Sequence, residues 1–356
     1  MTLASLGWDT FFEESFLPFR NRALKPARVA IQHRNSYVVY SELGELRSEV
    51  TGRMEYFASG PSDLPVVGDW VVIAPRQSEG SATIVDLLPR KTKFSRKIAG
   101  ANHQEQVLAS NVDRVFIVSG LDGDFNLRRL ERYLVVSAES GAEPVIVLNK
   151  ADLRHDVQEI RTIMKDVAGP APILFTSALK GKNLERLLEF LPRGMTGALL
   201  GSSGAGKTTI INYLLGSQDR KTQPVREQDS RGRHTTSYRE LILLPSGGLL
   251  IDTPGLRELQ LWGGASGVGE TFRDIEELAA QCRFRDCTHR AEPGCAVQEA
   301  LEAGTLDPGR FASYKKLLKE VAYQNRKHDP AAQRQEKDRI KKIMIAYRRK
   351  PKKGRP

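Results

Sequence analysis

Residues Gly201-Ser202-Ser203-Gly204-Ala205-Gly206-Lys207-Thr208 match the pattern GxxxxGK[ST], and this stretch constrains the fold more than any other. It follows an apolar run, Ala198-Leu199-Leu200, and precedes a helical pattern through Ile210, Ile211, Leu214 and Leu215 that Gly216 ends. Strand, glycine-rich turn and helix in that order place this part of the chain in an α/β sheet. The glycines let backbone N–H groups turn inward around phosphate oxygens, and the helix N-terminus adds its positive dipole end. Lys207 is expected to reach the β- and γ-phosphates and the Thr208 hydroxyl to ligate Mg²⁺, with Thr209 also assigned to the nucleotide.

Further upstream, Asn149-Lys150-Ala151-Asp152 directly follows the apolar run Val145–Leu148. In an NKxD sequence the Asp carboxylate accepts from N1–H and the 2-amino group of guanine. Adenine offers no such donor pair, and an unpaired buried polar group rejects it strongly. Lys150 would lay its methylene stem along the base, and Asn149 would brace the loops. Ser177-Ala178-Leu179, after the next strand, fits a second base-contacting loop whose backbone N–H donates to guanine O6. Four letters alone also occur as a capping turn, so the weight comes from the buried strand before them and from Ser177-Ala178 after the next strand.

Downstream, Leu241–Leu244 and Leu249–Ile251 read as a hairpin that ends in Asp252-Thr253-Pro254-Gly255, a DxxG match. Asp252 would hold a Mg²⁺-bound water, and the Gly255 N–H would sense a γ-phosphate. From Gln218 to His234 the one aliphatic side chain is Val225, among five basic and three acidic residues, so this segment is expected to be mobile. It ends in Gly232-Arg233-His234-Thr235-Thr236. Either Thr235 or Thr236 is a candidate Mg²⁺ ligand, against the alternative of plain β-propensity at the start of a strand.

Around this core the chain of 356 residues has room for two or three domains, at roughly 150 residues each. The expected division is an N-terminal extension (1–26), an OB-like barrel (27–93), a nucleotide domain (94–262), a small helical domain (263–325) and a basic tail (326–356). Val29–Ile31, Tyr37–Tyr40, Trp70–Ile73 and Ala82–Val85 are short β-rich runs separated by turn residues, as in a small closed barrel. Cys282, Cys287, His289 and Cys295 use all three cysteines of the chain with one histidine. Three thiolates and an imidazole make a closed tetrahedral Zn²⁺ site, structural rather than catalytic, in a segment expected to have little core of its own.

Three cysteines make no disulfide framework, which points to a reducing cytoplasm; neither a membrane span nor a secretory signal is expected. The net charge is +11, and residues 326–356 hold 13 Lys/Arg against 3 Asp/Glu, so nearly all of the excess lies in the tail. Such a segment suits a polyanion, most often nucleic acid. Ile340, Ile343, Met344 and Tyr347 fall at helical spacing within it; a calmodulin-like or membrane-surface role is the rival reading.

Ordinary small GTPases place the phosphate loop first and the base-reading loops last. Here the order is NKxD, Ser-Ala, phosphate loop, threonine segment and DxxG, a circular permutation. With the barrel, the cysteine cluster, the basic tail, Phe125–Leu134 and Gly232–Thr236, the chain resembles the RsgA/YjeQ family of ribosome-associated GTPases over nearly its whole length. The resemblance implies a multidomain α/β architecture comprising an OB-like barrel, a permuted P-loop GTPase domain and a helical zinc domain. It also implies a monomeric, Mg²⁺-dependent GTPase that binds GTP and GDP, engages the 30S subunit and its 16S rRNA, and acts late in subunit maturation. Leu256 stands where Ras-type proteins carry a water-orienting glutamine, and the resemblance gives that role to His234, with a surface histidine as the alternative. Two readings from other classes are a non-catalytic RNA-binding module that senses GTP and GDP, and a zinc-containing DNA-binding regulator driven by ATP.

Overall fold

In the N-terminal region five strands alternate inward apolar and outward polar residues over short lengths and close on one another. In the computed structural model, which describes residues 1–20, 22–34, 36–98, 104–216, 239–252 and 266–328, they are β1 (Lys25–Gln32), β2 (Tyr37–Ser41), β3 (Gly44–Val50), β4 (Trp70–Arg76) and β5 (Ser81–Leu87). The pairing runs β1-β2-β3-β5-β4 and returns to β1, with β3 and β5 parallel and the other neighbours antiparallel. Val29, Val39, Ile73 and Ile84 fill the interior and are fully buried. Closure leaves the barrel without open edges, the OB arrangement expected. Strand β3 was not anticipated. In Gly-Glu-Leu-Arg-Ser-Glu-Val only Leu46 and Ser48 turn inward, too few apolar residues to show a period.

Ahead of the barrel, α1 (Thr10–Phe16) is capped by Asp9, whose carboxylate accepts from the Phe11 and Phe12 amides. Its apolar face is packed. Phe12 and Phe16 are buried in a ring cluster with Trp8 and Trp70, Trp8 meeting Trp70 edge-on at 4.7 Å between centroids. A second short helix, α2 (Gly52–Phe57), follows β3 and is capped by Thr51.

A two-stranded ribbon, β6 (Lys93–Lys97) and β7 (Glu105–Ser110), leads from the barrel to the second sheet. That sheet contains β8 (Arg114–Gly120), α3 (Leu127–Ser140), β9 (Glu143–Asn149), α4 (Val157–Ala168), β10 (Ile173–Phe175), α5 (Arg186–Glu189), β11 (Thr196–Leu200), α6 (Lys207–Leu215), β12 (Arg239–Leu243) and β13 (Leu249–Asp252). Its strand order is β10-β9-β8-β11-β13-β12, parallel except for β12. The strands are continuous apolar runs because both faces are covered. On β8, Val115 and Ile117 face one core while Phe116 and Val118 face the other. The end of β1 pairs with β12 (Ile31 with Glu240), so barrel and sheet share a hydrogen-bonded edge.

Arg28 fastens the same junction from inside. Its Nε donates to the Gly68 carbonyl (3.2 Å), Nη2 to the Asn111 carbonyl (2.9 Å) and Nη1 to the Leu6 carbonyl. Burial pushes this guanidinium down to about 10, against the attraction of Asp113, Asp69 and Asp9.

The C-terminal part holds α7 (Ser266–Thr271), α8 (Arg273–Ala280), α9 (Ala296–Glu302) and α10 (Pro308–His328). Little core of its own was expected there. Phe272, Ile275, Phe311, Tyr314 and Val321 are buried and continuous with Leu130, Leu134 and Val135 of α3. The helices borrow the face that α3 turns away from the sheet. A Cβ on Gly267 would lie 2.9 Å from the Val135 carbonyl, so glycine permits the close crossing of α7 and α3. Across the same interface Arg310 of α10 pairs with buried Glu131 of α3 (3.2 Å) and Arg132 with Glu320 (2.5 Å), while Arg310 also pairs with Asp274 of α8 (2.7 Å). Among the described residues no helix is long and apolar enough to cross a membrane.

Candidate functional site

Four parallel strands end at one edge of the second sheet, and each carries a predicted motif there or just beyond. The chain proceeds from β8 to β9 and β10 on one side, then returns to place β11 on the other side of β8. A crevice outside the carboxyl ends of the strands, at such a reversal, is where α/β sheets bind ligands.

The phosphate loop leaves β11 through three residues with positive φ, Gly201 (154°), Gly204 (78°) and Gly206 (99°). A Cβ at Gly201 would lie 2.1 Å from the Val118 carbonyl, and one at Gly206 would lie 2.1 Å from Asn149 Nδ2. Glycine is required at both positions by contact as well as by dihedral. Lys207 starts α6, and its ammonium lies inside the loop, donating to the carbonyls of Gly201 (2.7 Å) and Ser202. Ser202, Thr208 and Thr209 are half-buried, Ala205 is buried, and Ser203 is exposed at the mouth.

Asn149 joins three loops. Its Nδ2 donates to the Ala205 carbonyl at 2.9 Å, while its Oδ1 accepts from the Ala178 amide at 2.9 Å and the Thr176 hydroxyl at 3.3 Å. The side chain is 2 % exposed, so these bonds are shielded from water. The Ala178 amide is thus bonded to the Asn149 side chain. Lys150 adopts φ 61°, in the left-handed region, and its ammonium pairs with Asp122. Asp152 pairs with Lys180 at 3.3 Å. The Ser177 hydroxyl beside it and the Lys180 ammonium hold its carboxyl below the usual range, ready to accept.

Asp252 ends β13, next to β11 and on the same edge. His234, Thr235, Thr236, Gly255 and Leu256 lie outside the described residues, as does the tail from residue 329 onward. Sequence reasoning passed over the loop after β8, where Asp124 accepts from Ser202 Oγ (2.5 Å) and pairs with Arg129 (2.8 Å). An Asp-Gly-Asp run at the carboxyl end of an apolar strand was the available signal.

The ligating atoms of Cys282, Cys287, His289 and Cys295 lie within 4.8 Å of one another. His289 Nδ1 is 3.6 Å from Cys282 Sγ and 3.5 Å from Cys295 Sγ, and those two sulfurs are 3.8 Å apart. Tetrahedral zinc at about 2.3 Å from sulfur would set neighbouring sulfurs about 3.8 Å apart, so the group can hold such a metal. The surrounding turn is braced by side chains outside the ligand set. Gln298 donates to the His289 carbonyl (2.6 Å), and Glu292 accepts from the Thr288 and Arg290 amides (3.0 and 2.8 Å). The Thr288 hydroxyl, with those amides, holds the Glu292 carboxyl far below its ordinary range.

Residues 87–262 match the family model described as RsgA GTPase. The small ribosomal subunit biogenesis GTPase RsgA of Opitutus terrae is 51% identical, covering 98% of this chain and 97% of that protein. The protein of the same name from Methanosarcina acetivorans is 40% identical over 95% and 90%. Among solved structures, YjeQ from Thermotoga maritima shares 27% identity at a TM-score of 0.63, covering 84% of this chain and 99% of that one. YloQ, a circularly permuted GTPase, shares the fold with a TM-score of 0.61 at 23% identity over 85% and 96% of the two chains. On this identity across nearly its full length, and with Asn149–Asp152 preceding Gly201–Thr208 in permuted order on one sheet edge, the chain belongs to the RsgA family of GTP hydrolases.

Proposed function

We propose that this GTPase binds the small ribosomal subunit, acts late in its maturation, and hydrolyses GTP faster when bound to the subunit. The observation that carries the nucleotide part is the Asn149 side chain, bonded at once to the phosphate loop and to the Ser177-Ala178 loop. That contact supports one pocket built from two distant stretches of chain. Small-subunit biogenesis is supported by the names of the relatives, and the +11 charge concentrated in the tail suits 16S rRNA.

In this reading Asp152 selects guanine, Lys150 lies along the base, and the amides of Gly201–Thr209 cradle the phosphates. Lys207, now on loop carbonyls, turns to the β- and γ-oxygens and stabilises charge as water attacks. Thr208, Asp252 and Thr235 or Thr236 would hold Mg²⁺, which would neutralise the β- and γ-phosphate charge. His234 is assigned the positioning of water, because Leu256 cannot do so. The Cys282, Cys287, His289 and Cys295 group is assigned structural zinc, and the protein is assigned to the cytoplasm as a monomer.

Phosphate release under multiple turnover, with and without 30S particles, tests the reading together with cosedimentation in a non-hydrolysable GTP analogue. Stimulated release and cosedimentation with 30S but not 50S are expected. Absence of release under both conditions would favour a nucleotide-sensing RNA-binding module.

A further inference from the structure

The loop after β8 sits between the two halves of the site and touches both. Leu121 donates its amide to the Asn149 carbonyl at 2.8 Å, which sets the loop against the start of the base-reading stretch. The Asp122 carboxylate then takes the Lys150 ammonium on one of its oxygens, while the other accepts from the Asp124 amide at 3.2 Å. Two residues on, Asp124 accepts from Ser202 Oγ in the phosphate loop. Gly120 makes room for the pair, since a Cβ there would lie 2.8 Å from Asp122 Oδ1 and 3.4 Å from Lys150 Cδ.

An unrestrained lysine carries up to about 2 kcal/mol of rotamer entropy, which is lost when its stem is laid along a base. Here the side chain is already held at its tip, and its backbone is held in the left-handed region. Burial works against a charge on Asp122, but the Lys150 and Asp124 bonds outweigh it and keep the carboxyl below its ordinary range.

We propose that Asp122 is a positioning residue for guanine-nucleotide binding: it pins the Lys150 ammonium so that the lysine stem is set along the base before the nucleotide arrives. It acts through Lys150 and touches neither base nor phosphate. The inference rests on the reading of Asn149–Asp152 as the base-binding stretch.

The test is a double-mutant cycle on GDP affinity with a fluorescent GDP analogue, using Asp122→Asn, Lys150→Ala and the two together, each checked by thermal melting. Lys150→Ala is expected to weaken GDP about 10-fold or more and Asp122→Asn about 3- to 10-fold, the double variant being no weaker than Lys150→Ala. Asp122→Glu keeps the charge and is expected to stay within about 2-fold of the unsubstituted protein. An equal loss from Asp122→Asn in both lysine backgrounds overturns the proposal, as does no loss at all. So does a Glu variant as weak as the Asn variant. If Lys150→Ala leaves GDP binding intact, the base-binding reading itself fails and takes this one with it.

Discussion

Asn149 Nδ2 donates to the carbonyl of Ala205 across 56 residues of sequence, at 2.9 Å and out of contact with water. One side chain therefore fixes the distance between the Asn149–Asp152 loop and the Gly201–Thr208 loop, proposed to read the base and to cradle the phosphates. Asn149→Ala strands the Ala205 carbonyl and frees both neighbouring loops. A buried acceptor left unmade costs about 1–3 kcal/mol, so GDP affinity should fall on the order of 10- to 100-fold, measurable by fluorescence titration.

At the barrel junction, Arg28 supplies donors to the carbonyls of Leu6, Gly68 and Asn111, which lie on three separate segments. Arg28→Met keeps the apolar stem and leaves the Leu6 and Asn111 carbonyls without a donor, while the Gly68 carbonyl keeps Asn111 Nδ2 at 3.1 Å. Stability should drop by about 3 kcal/mol or more in urea unfolding. The barrel interior around Val39 and Ile84 should be the less affected part.

Asp307 caps α10. Its carboxylate accepts from the Gly309 amide (3.1 Å) and the Arg310 amide (2.9 Å) and also pairs with Arg128 on α3. Burial opposes its charge, but the two amides and Arg128 prevail, so folding lowers its pKa. A carboxyl with a folded pKa below its unfolded one stabilises fully above the ordinary value, and that share is lost as pH falls through the folded one. Asp307→Ala should cost about 1 kcal/mol at pH 7. The gap from the unsubstituted protein should shrink in melts run below about pH 4.

Removing the metal should act locally, because the helices on either side of the cysteine cluster share their core with α3. One zinc per chain is expected by elemental analysis, and a chelator or Cys295→Ser should abolish it. Hydrogen exchange should then show lost protection from Cys282 to Glu302 while β8 and β9 stay protected.

Motifs that make strong local demands on the backbone were legible in the sequence. Gly201, Gly204 and Gly206 need positive φ, and the β12–β13 hairpin is announced by Pro245-Ser246-Gly247-Gly248 between apolar runs. Asn149 could be placed because its strand is continuously apolar. Relationships that only the folded topology creates were hidden. Nothing in Glu45-Leu46-Arg47-Ser48-Glu49 marks a barrel strand until β5 lies beside it. The burial of Phe12 depends on Trp70, far along the chain, and Asp122 gains meaning only when β8 is flanked by β9 and β11.

The most direct test of a single guanine pocket is the base preference of Asp152→Asn. The carboxylate is suited to the two donors on guanine, whereas an amide can donate to the 2-oxo group of xanthine. Titration with GDP and xanthosine diphosphate should show a loss for GDP on the order of 100-fold and a gain for the xanthine nucleotide. GDP binding equal to that of the unsubstituted protein, with no change for xanthosine diphosphate, would contradict the placement of Asp152 at the base.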